Sequence, residues 1–321
     1  MLVLNEQDIL RTISMEDMID TIEHAYMLYE NEQYEMPLRS HISDHENTYL
    51  LMPCVADHTI GIKIVSVFPN NYEFPVTQGI IILTDRKNGA TKAILNGTLL
   101  TGLKTGAVSG AAIKYLSTKS AKTVGLIGTG YQGLYQLIAT CTVRDIQDIY
   151  LYNRTSSKLP SFIDTLKNHL KPNVQIHITD NTLELVKQSE IIITSTSAHD
   201  PVLPNISNIY NGKLIVGIGS YQPHMREFPE SLYMNLENLF IDTHDAKHET
   251  GDIIDPINNQ WLNESQVISF SKVVTQRVKP VLTNSCPTVF KSTGMALFDL
   301  TCANAIYTKA IEQQIGTFIK L

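Results

Sequence analysis

No apolar run in this sequence approaches the roughly 18 residues needed to span a bilayer. The longest, such as Gly79-Ile-Ile-Ile-Leu83 and Glu190-Ile-Ile-Ile193, are strand-sized, so no membrane segment is expected. Cysteine is scarce: Cys54, Cys141, Cys286 and Cys302 are scattered, with no CxxC pair. That suits the reduced thiols of a cytoplasmic protein better than a disulfide frame or a zinc knuckle. Cationic residues are the minority, 25 Lys+Arg against 32 Asp+Glu for a formal net charge of -7, and no basic run occurs, so a nucleic-acid surface is not expected. The start, Met1-Leu-Val-Leu-Asn-Glu-Gln-Asp8, lacks a basic n-region and a long apolar h-region, and no signal peptide is expected. HExxH, the GxSxG elbow and the P-loop lysine are all missing. His244 and His248 stand at i and i+4, but in an Asp/His-rich stretch that reads as a solvated loop and helix rather than a metal site.

What the chain does have is apolar content: 43% of 321 residues are hydrophobic, enough for a sizeable core and, by length, about two domains. Ser14 followed by Asp17 and the stripe Met15, Met18, Ile19, Ile22, Tyr26 and Tyr29 predicts a capped amphipathic helix over 15–31. From Pro37 to Asn96 the texture is β-rich, with strands expected at 48–52, 60–68 and 79–84 and a hairpin around Asn88-Gly89. The small residues of 99–116 predict a helix able to lie close against another backbone. Beyond it strand and helix alternate: strands at 123–127, 148–152, 175–178, 190–194, 214–218 and 238–241, with helices between. That alternation specifies an α/β fold with a doubly wound parallel sheet, preceded by an α+β region with a mostly antiparallel sheet. A helical tail over 289–315 would return to the first region. The expected division is therefore a discontinuous domain of 1–115 with 298–321, and a Rossmann domain of 116–297.

The chemistry concentrates where Val124-Gly-Leu-Ile127 runs into Gly128-Thr129-Gly130-Tyr131-Gln132-Gly133 and an apolar helix opens at once. Strand, tight glycine turn and helix N-terminus together are what a pyrophosphate requires. At the end of the next strand, where an NAD site usually carries Asp or Glu against the ribose 2′-hydroxyl, the sequence reads Asn153-Arg154-Thr155-Ser-Ser-Lys158. Asn153 does not repel a 2′-phosphate, and Arg154, Thr155 and Lys158 offer donors to one, so NADP is favoured over NAD. Arg154 and Lys158 as plain solvated charges remain the alternative. Thr194-Ser195-Thr196 and Gly219-Ser220-Tyr221 end two further strands and would border the same crevice. Tyr221 could cover the nicotinamide or donate a proton, unless these are ordinary turns.

In the first region Lys63 lies inside Ile60-Gly-Ile-Lys-Ile-Val-Ser-Val-Phe68, with apolar neighbours on both faces. An unpaired ammonium there is expensive, so Lys63 must meet an anion or a cavity, or else snorkel at a sheet edge. Arg39 suits a bidentate carboxylate clamp as well as a surface salt bridge. Lys104, followed by Thr105, is a third cation near a tightly packed helix start.

These blocks together resemble the ornithine cyclodeaminase/mu-crystallin family. The likeness is carried by Pro37-Leu-Arg39, Leu51-Met-Pro53, Gly61-Ile-Lys63 through Asn70, Gln78-Gly79 through Asp85, and Leu100-Thr-Gly-Leu-Lys-Thr-Gly-Ala107. It continues through Gly128-Thr-Gly130-Tyr-Gln132, Asn153-Arg-Thr155, Gly219-Ser-Tyr-Gln-Pro223 with Glu227, and Val289 through Ala296 with Asp299. The resemblance implies a homodimer whose first region plus C-terminal tail binds substrate and dimerises, and whose middle binds NAD(P). It implies that Arg39, Lys63 and Lys104 hold the substrate carboxylate, Lys104 standing where an arginine is usual. Members resembling true cyclodeaminases carry an aspartate after Gly-Ser and a glutamate before Leu-Met-Pro; here Tyr221 and Leu50 occupy those places. The reading that follows is an NAD(P)-dependent oxidoreductase of a small α-imino or α-amino acid, with Lys63, Arg39, Lys104 and Tyr221 as its catalytic set. The alternatives are an ornithine cyclodeaminase that recycles its NAD, and a nucleotide-loaded binding protein with little turnover.

Overall fold

The computed structural model describes residues 1–320. Following the chain, β1 (Leu2–Leu4) and α1 (Glu6–Thr12) precede α2 (Met15–Glu30). Six strands come next: β2 (Tyr34–Glu35), β3 (Ser40–Asp44), β4 (Asn47–Ala56), β5 (Thr59–Val67), β6 (Thr77–Asp85) and β7 (Thr91–Asn96). The long helix α3 (Gly97–Leu116) leads to β8 (Thr123–Ile127), α4 (Tyr131–Val143), β9 (Asp148–Tyr152), α5 (Leu159–Lys167), β10 (Gln175–Ile178), α6 (Thr182–Gln188), β11 (Ile191–Thr194) and β12 (Leu214–Gly217). Then follow α7 (Glu230–Tyr233), β13 (Leu239–Ile241), α8 (Ala246–Glu249), α9 (Gly251–Asn258), β14 (Val267–Ser269), α10 (Ser271–Val274) and β15 (Thr288–Lys291). The chain closes with α11 (Ala296–Gln313) and β16 (Thr317–Phe318). Two compact units result, one of residues 1–104 with 295–321 and one of 105–294.

In the first unit the strand order is β16-β1-β7-β6-β5-β4-β2, with β3 on β4; the pairings are antiparallel except β1 with β7. Helix α2 starts as its sequence dictates, with Ser14 and Asp17 forming a reciprocal capping box and Met18, Ile19, Ile22, Ala25 and Tyr26 buried. Helix α11 packs on α1, α2 and β4–β6. On β5 the pleat alternates accordingly: Thr59, Gly61, Lys63 and Val65 are buried, whereas Ile60, Ile62 and Ile64 are half-buried or exposed. The hairpin from β6 to β7 forms, but not as a two-residue Asn-Gly turn. Asp85 both accepts from Gly89 N–H and donates to the Ala90 carbonyl, and only Gly89 is left-handed, at φ 73°. The wider loop absorbs the register shift after Leu83.

The second unit is an all-parallel sheet, ordered β10-β9-β8-β11-β12-β15-β13-β14. Its strands are apolar on both faces because helices cover both: Ile191, Ile192, Ile193, Ile215, Val216 and Val289 are fully buried. Strand β15 corrects the expectation of a helical tail from 289. Thr288–Lys291 inserts between β12 and β13, and the helix begins only at Ala296. The run Thr-Val-Phe-Lys after Pro287 has the length of a buried strand, and the Ala-rich segment behind it obscured the boundary. The helix expected over 157–169 forms as α5, Leu159–Lys167, with Pro160 in its first turn and a short 3-10 turn, Ser156–Lys158, ahead of it. Helix α3 does come close to another backbone: a Cβ on Gly106 would lie 2.6 Å from the Tyr135 carbonyl oxygen of α4. Arg144 then closes the end of α3, its guanidinium donating to the carbonyls of Ile113, Lys114 and Ser117 at 2.8–3.0 Å. These are the carbonyls a helix C-terminus leaves unpaired.

Candidate functional site

The parallel sheet reverses its strand order between β8 and β11, so the crevice beyond their carboxyl ends is where an open α/β sheet takes its ligand. Gly128 ends β8 there at φ 97°, a conformation L side chains rarely adopt, and a Cβ on it would lie 2.4 Å from the Ser195 carbonyl oxygen. Gly133 abuts the Gly128 carbonyl just as tightly, 2.5 Å from an added Cβ, which brings α4 down onto the strand. Gly130, the N-cap of α4, faces open space and caps the helix with no side chain, leaving its first amides available. Around the turn, Thr129 Oγ1, Gln132 Oε1 and Thr194 Oγ1 are buried without a hydrogen-bond partner. Orphaned donors and acceptors, free helix amides and an open glycine together fit a dinucleotide pyrophosphate.

Asn153, at the end of β9, is half-buried; its Oδ1 accepts from Thr129 N–H at 3.2 Å and its Nδ2 donates to the Thr155 carbonyl at 2.8 Å. It thus holds the glycine turn as well as the loop that follows. Arg154, Thr155 and Lys158 are exposed beside it, and Tyr131 is exposed at the first turn of α4, edge-on to Tyr135. Ser195 and Thr196 follow β11, with Ser195 N–H donating to Ile127. Gly219 and buried Ser220 follow β12, whereas Tyr221 is 52% exposed. Thr105 is half-buried on α3.

In the first unit the side chains of Lys63, on β5, and Lys104, on α3, meet Asp299 of α11. Lys63 Nζ donates to Asp299 Oδ1 at 3.2 Å, and Lys104 Nζ lies 3.9 Å from Oδ2. All three are buried. Lys63 has therefore met its anion, but the balance is uneven, two ammoniums to one carboxylate. Arg39, half-buried, is close enough for its charge to act on Lys63. Burial pulls the Lys63 ammonium below its ordinary range, Asp299 pushes back, and Lys104 and Arg39 pull it further down. Lys104 also sits over the Phe298 ring, 5.7 Å from its centroid. Leu50, on β4, is half-buried and pairs with Val65.

Sequence reasoning did not foresee what anchors these groups. Asp299 was visible only as part of a matching block. Glu227, fully buried, holds the loops after β11 and β12 through three backbone N–H groups; of its partners, Lys291 stood only inside a matching block and Asp252 in none. Asp242 binds the Ser292 hydroxyl at 2.6 Å and the Gly294 N–H at 2.7 Å, fixing the segment between β15 and α11. A fully buried lysine or acid needs a partner remote in sequence, and no local pattern names that partner.

The fold and the glycine turn define a dinucleotide-binding oxidoreductase scaffold with an appended α+β unit carrying a buried cation cluster. The chain belongs to the ornithine cyclodeaminase/mu-crystallin family, whose model matches residues 1–314. It is 31% identical over 334 residues to a Bacillus cereus Delta(1)-pyrroline-2-carboxylate reductase, covering 100% of both chains. The structure of the Thermococcus litoralis Delta(1)-pyrroline-2-carboxylate reductase, in complex with NADH and L-proline, superposes with a TM-score of 0.91 at 31% identity, over 99% of this chain and 100% of that one. An Archaeoglobus fulgidus alanine dehydrogenase is 25% identical over 323 residues, 99% of this chain and 98% of that one.

Proposed function

We propose that this protein reduces a small cyclic α-imino acid to the α-amino acid at the expense of NAD(P)H, with Δ1-pyrroline-2-carboxylate and L-proline as the leading pair. The observation that carries the reading is the buried cation excess. Lys63 and Lys104 share one carboxylate, Asp299, so a substrate carboxylate arriving there would meet two ammoniums that have a single anion between them. The relatives named above support the choice of substrate.

When bound, the reduced nicotinamide supplies the hydride that converts the imine carbon to an amine-bearing carbon. Gly128, Thr129, Gly130, Gln132 and Gly133 hold the pyrophosphate on the α4 amides. The loops of Ser195, Thr196, Gly219 and Ser220 border the nicotinamide half. Arg39 and Lys104 fix the substrate carboxylate, which orients the carbon to be reduced. Lys63, an ammonium with its proton affinity lowered by burial, keeps the imine nitrogen protonated and so makes the imine carbon the better hydride acceptor. Tyr221 closes over the ring from its exposed loop. Arg154, Thr155 and Lys158 receive a 2′-phosphate, which makes NADPH the preferred donor; Asn153, already bonded to Thr129, presents no charge against it.

The first unit also dimerises. Leu51, Pro53, Ile62, Ile64, Ile80 and Ile82 share the sheet face opposite Lys63, and Ile80 is 43% exposed. A second copy of this face would cover it. Sedimentation at twice the 35.9 kDa chain mass checks this.

The test of function is a paired assay: a cyclic imino acid with NADPH or NADH followed by cofactor absorbance, beside ornithine with NAD followed by ammonia release. Cofactor oxidation by the imino acid is expected. Ammonia and proline from ornithine with no net cofactor change would instead establish the cyclodeaminase chemistry, which the replacement of two carboxylates by Tyr221 and Leu50 argues against.

A further inference from the structure

We infer that Glu227 is a positioning residue that clamps the two nicotinamide-side loops into one rigid wall, so that its charge governs how the nicotinamide half of the dinucleotide is held without touching the adenine half. This rests on the dinucleotide reading of the second unit. Glu227 touches no reacting atom in the proposal; it acts through the loops.

The geometry is specific. One carboxylate oxygen, Oε1, accepts from the backbone N–H and the hydroxyl of Thr196, both at 2.8 Å. The other, Oε2, accepts from the N–H of Gly219 at 2.9 Å and of Ser220 at 3.2 Å. One side chain therefore ties the loop after β11 to the loop after β12. The loops also interlock sterically at this place, since a Cβ on Gly219 would fall 2.0 Å from the Thr196 carbonyl oxygen. The backbone of Glu227 extends the clamp, its carbonyl accepting from Val202 N–H at 2.9 Å.

Every backbone partner is a donor, which an ionised carboxylate satisfies and a protonated or amide side chain does not. Burial pushes the Glu227 carboxyl up and so does the neighbouring Asp252 carboxylate, while the Lys291 ammonium and the Thr196 donors draw it back. A second layer supplies the countercharge and holds the backbone of Glu227. Lys291 Nζ lies 3.9 Å from Glu227 Oε2 and 2.9 Å from Asp252 Oδ2, and Asp252 Oδ1 in turn accepts the N–H of Glu227 and Phe228 at 2.7 and 2.9 Å. Glu227, Asp252 and Lys291 are all fully buried. A cluster of this kind is expensive to build merely to fill a core, where apolar residues serve as well. Its location at the carboxyl ends of β11 and β12 points to a role in shaping the ligand crevice.

Glu227→Gln tests this, because the amide keeps the shape but sets an NH2 group against N–H donors. Binding of NADH and of ADP-ribose, which lacks the nicotinamide, is measured by calorimetry for wild type and variant, with the emission of bound NADH as a spectroscopic signature. The expected result is an NADH Kd raised about tenfold, loss of the shifted emission of bound NADH, and an ADP-ribose Kd within about twofold of wild type. Equal NADH affinity and emission in both proteins, or parallel loss of NADH and ADP-ribose, overturns the inference. Wild type that binds neither ligand would overturn the dinucleotide reading itself, and the inference with it. Should Glu227→Gln fail to fold, Thr196→Val removes one of the four donors while keeping the side-chain shape. A smaller rise in NADH Kd, about threefold, at constant ADP-ribose affinity is then expected, and no split between the two ligands overturns the inference.

Discussion

Each unit of this protein buries an ionic triad, and the two are opposite in design. In the first, two lysines share Asp299, and that carboxylate accepts no backbone N–H among the described residues. In the second, two carboxylates share Lys291, and backbone amides converge on both: Thr196, Gly219 and Ser220 on Glu227, Glu227 and Phe228 on Asp252. A buried charge whose lone pairs are taken up by the backbone organises the chain. A buried charge that the backbone does not take up is, on the function proposed above, the one left for a ligand. On that reading the contrast separates groups that shape the site from groups that meet the substrate, although both look alike by burial alone.

The largest expected effect is at the surplus. Lys63→Met leaves Lys104 with Asp299 and removes the proton donor, so kcat/KM for the imino acid should fall by about a thousandfold or more while NADPH affinity stays within about twofold. Undiminished turnover would remove Lys63 from the chemistry. Asp299→Asn sharpens the comparison from the other side. It strips Lys63 of the anion that supports its charge, and burial and Lys104 then act unopposed, so the ammonium loses its proton more readily. The alkaline limb of the pH profile of kcat/KM should move to lower pH, with kcat/KM at neutral pH down about tenfold. An unmoved limb would mean that Asp299 does not set the charge of Lys63.

Cofactor choice comes next in size. Arg154→Glu should raise the KM for NADPH about tenfold and leave that for NADH little changed, because a 2′-phosphate meets a like charge; equal effects on both would return Arg154 to the solvent. The smallest effect belongs to a pair outside both triads. Lys309 of α11 lies 2.7 Å from Asp17 of the α2 capping box and, with the Ser14 contacts, holds the Asp17 carboxyl below its ordinary value. A folded-state value below the unfolded one stabilises above the unfolded value and is lost as pH falls through the folded one. Both side chains are about one-third exposed, so Lys309→Ala should cost under about 0.5 kcal/mol in denaturant unfolding at neutral pH, and nothing once Asp17 is protonated.

The sequence was legible wherever the determinant is local. The capping box of α2, the glycine turn after β8 and the alternation of short apolar runs with helices each follow from neighbours a few residues apart. Even the cost of placing Lys63 between isoleucines could be read from the strand period, and it left an anion, a cavity or a sheet edge as the remedies. What could not be read was that the remedy is Asp299, 236 residues away, which arrives because α11 returns to the first sheet. The same holds for Glu227, whose partners Asp252 and Lys291 lie on α9 and β15. Strand β15 was merged with the helix behind it because four apolar-rich residues do not by themselves separate strand from helix; pairing with β12 and β13 decides it.

The claim that the surplus cations exist to hold a carboxylate is tested most directly by competition. L-proline and L-prolinamide share a ring and an amine and differ in whether the carboxyl group carries charge. Measured as inhibitors of NADPH oxidation by the cyclic imino acid at 340 nm, L-proline should compete with the imino acid and L-prolinamide should fail to at the same concentration. Equal inhibition by the two would show that Arg39, Lys63 and Lys104 serve some end other than the substrate carboxylate.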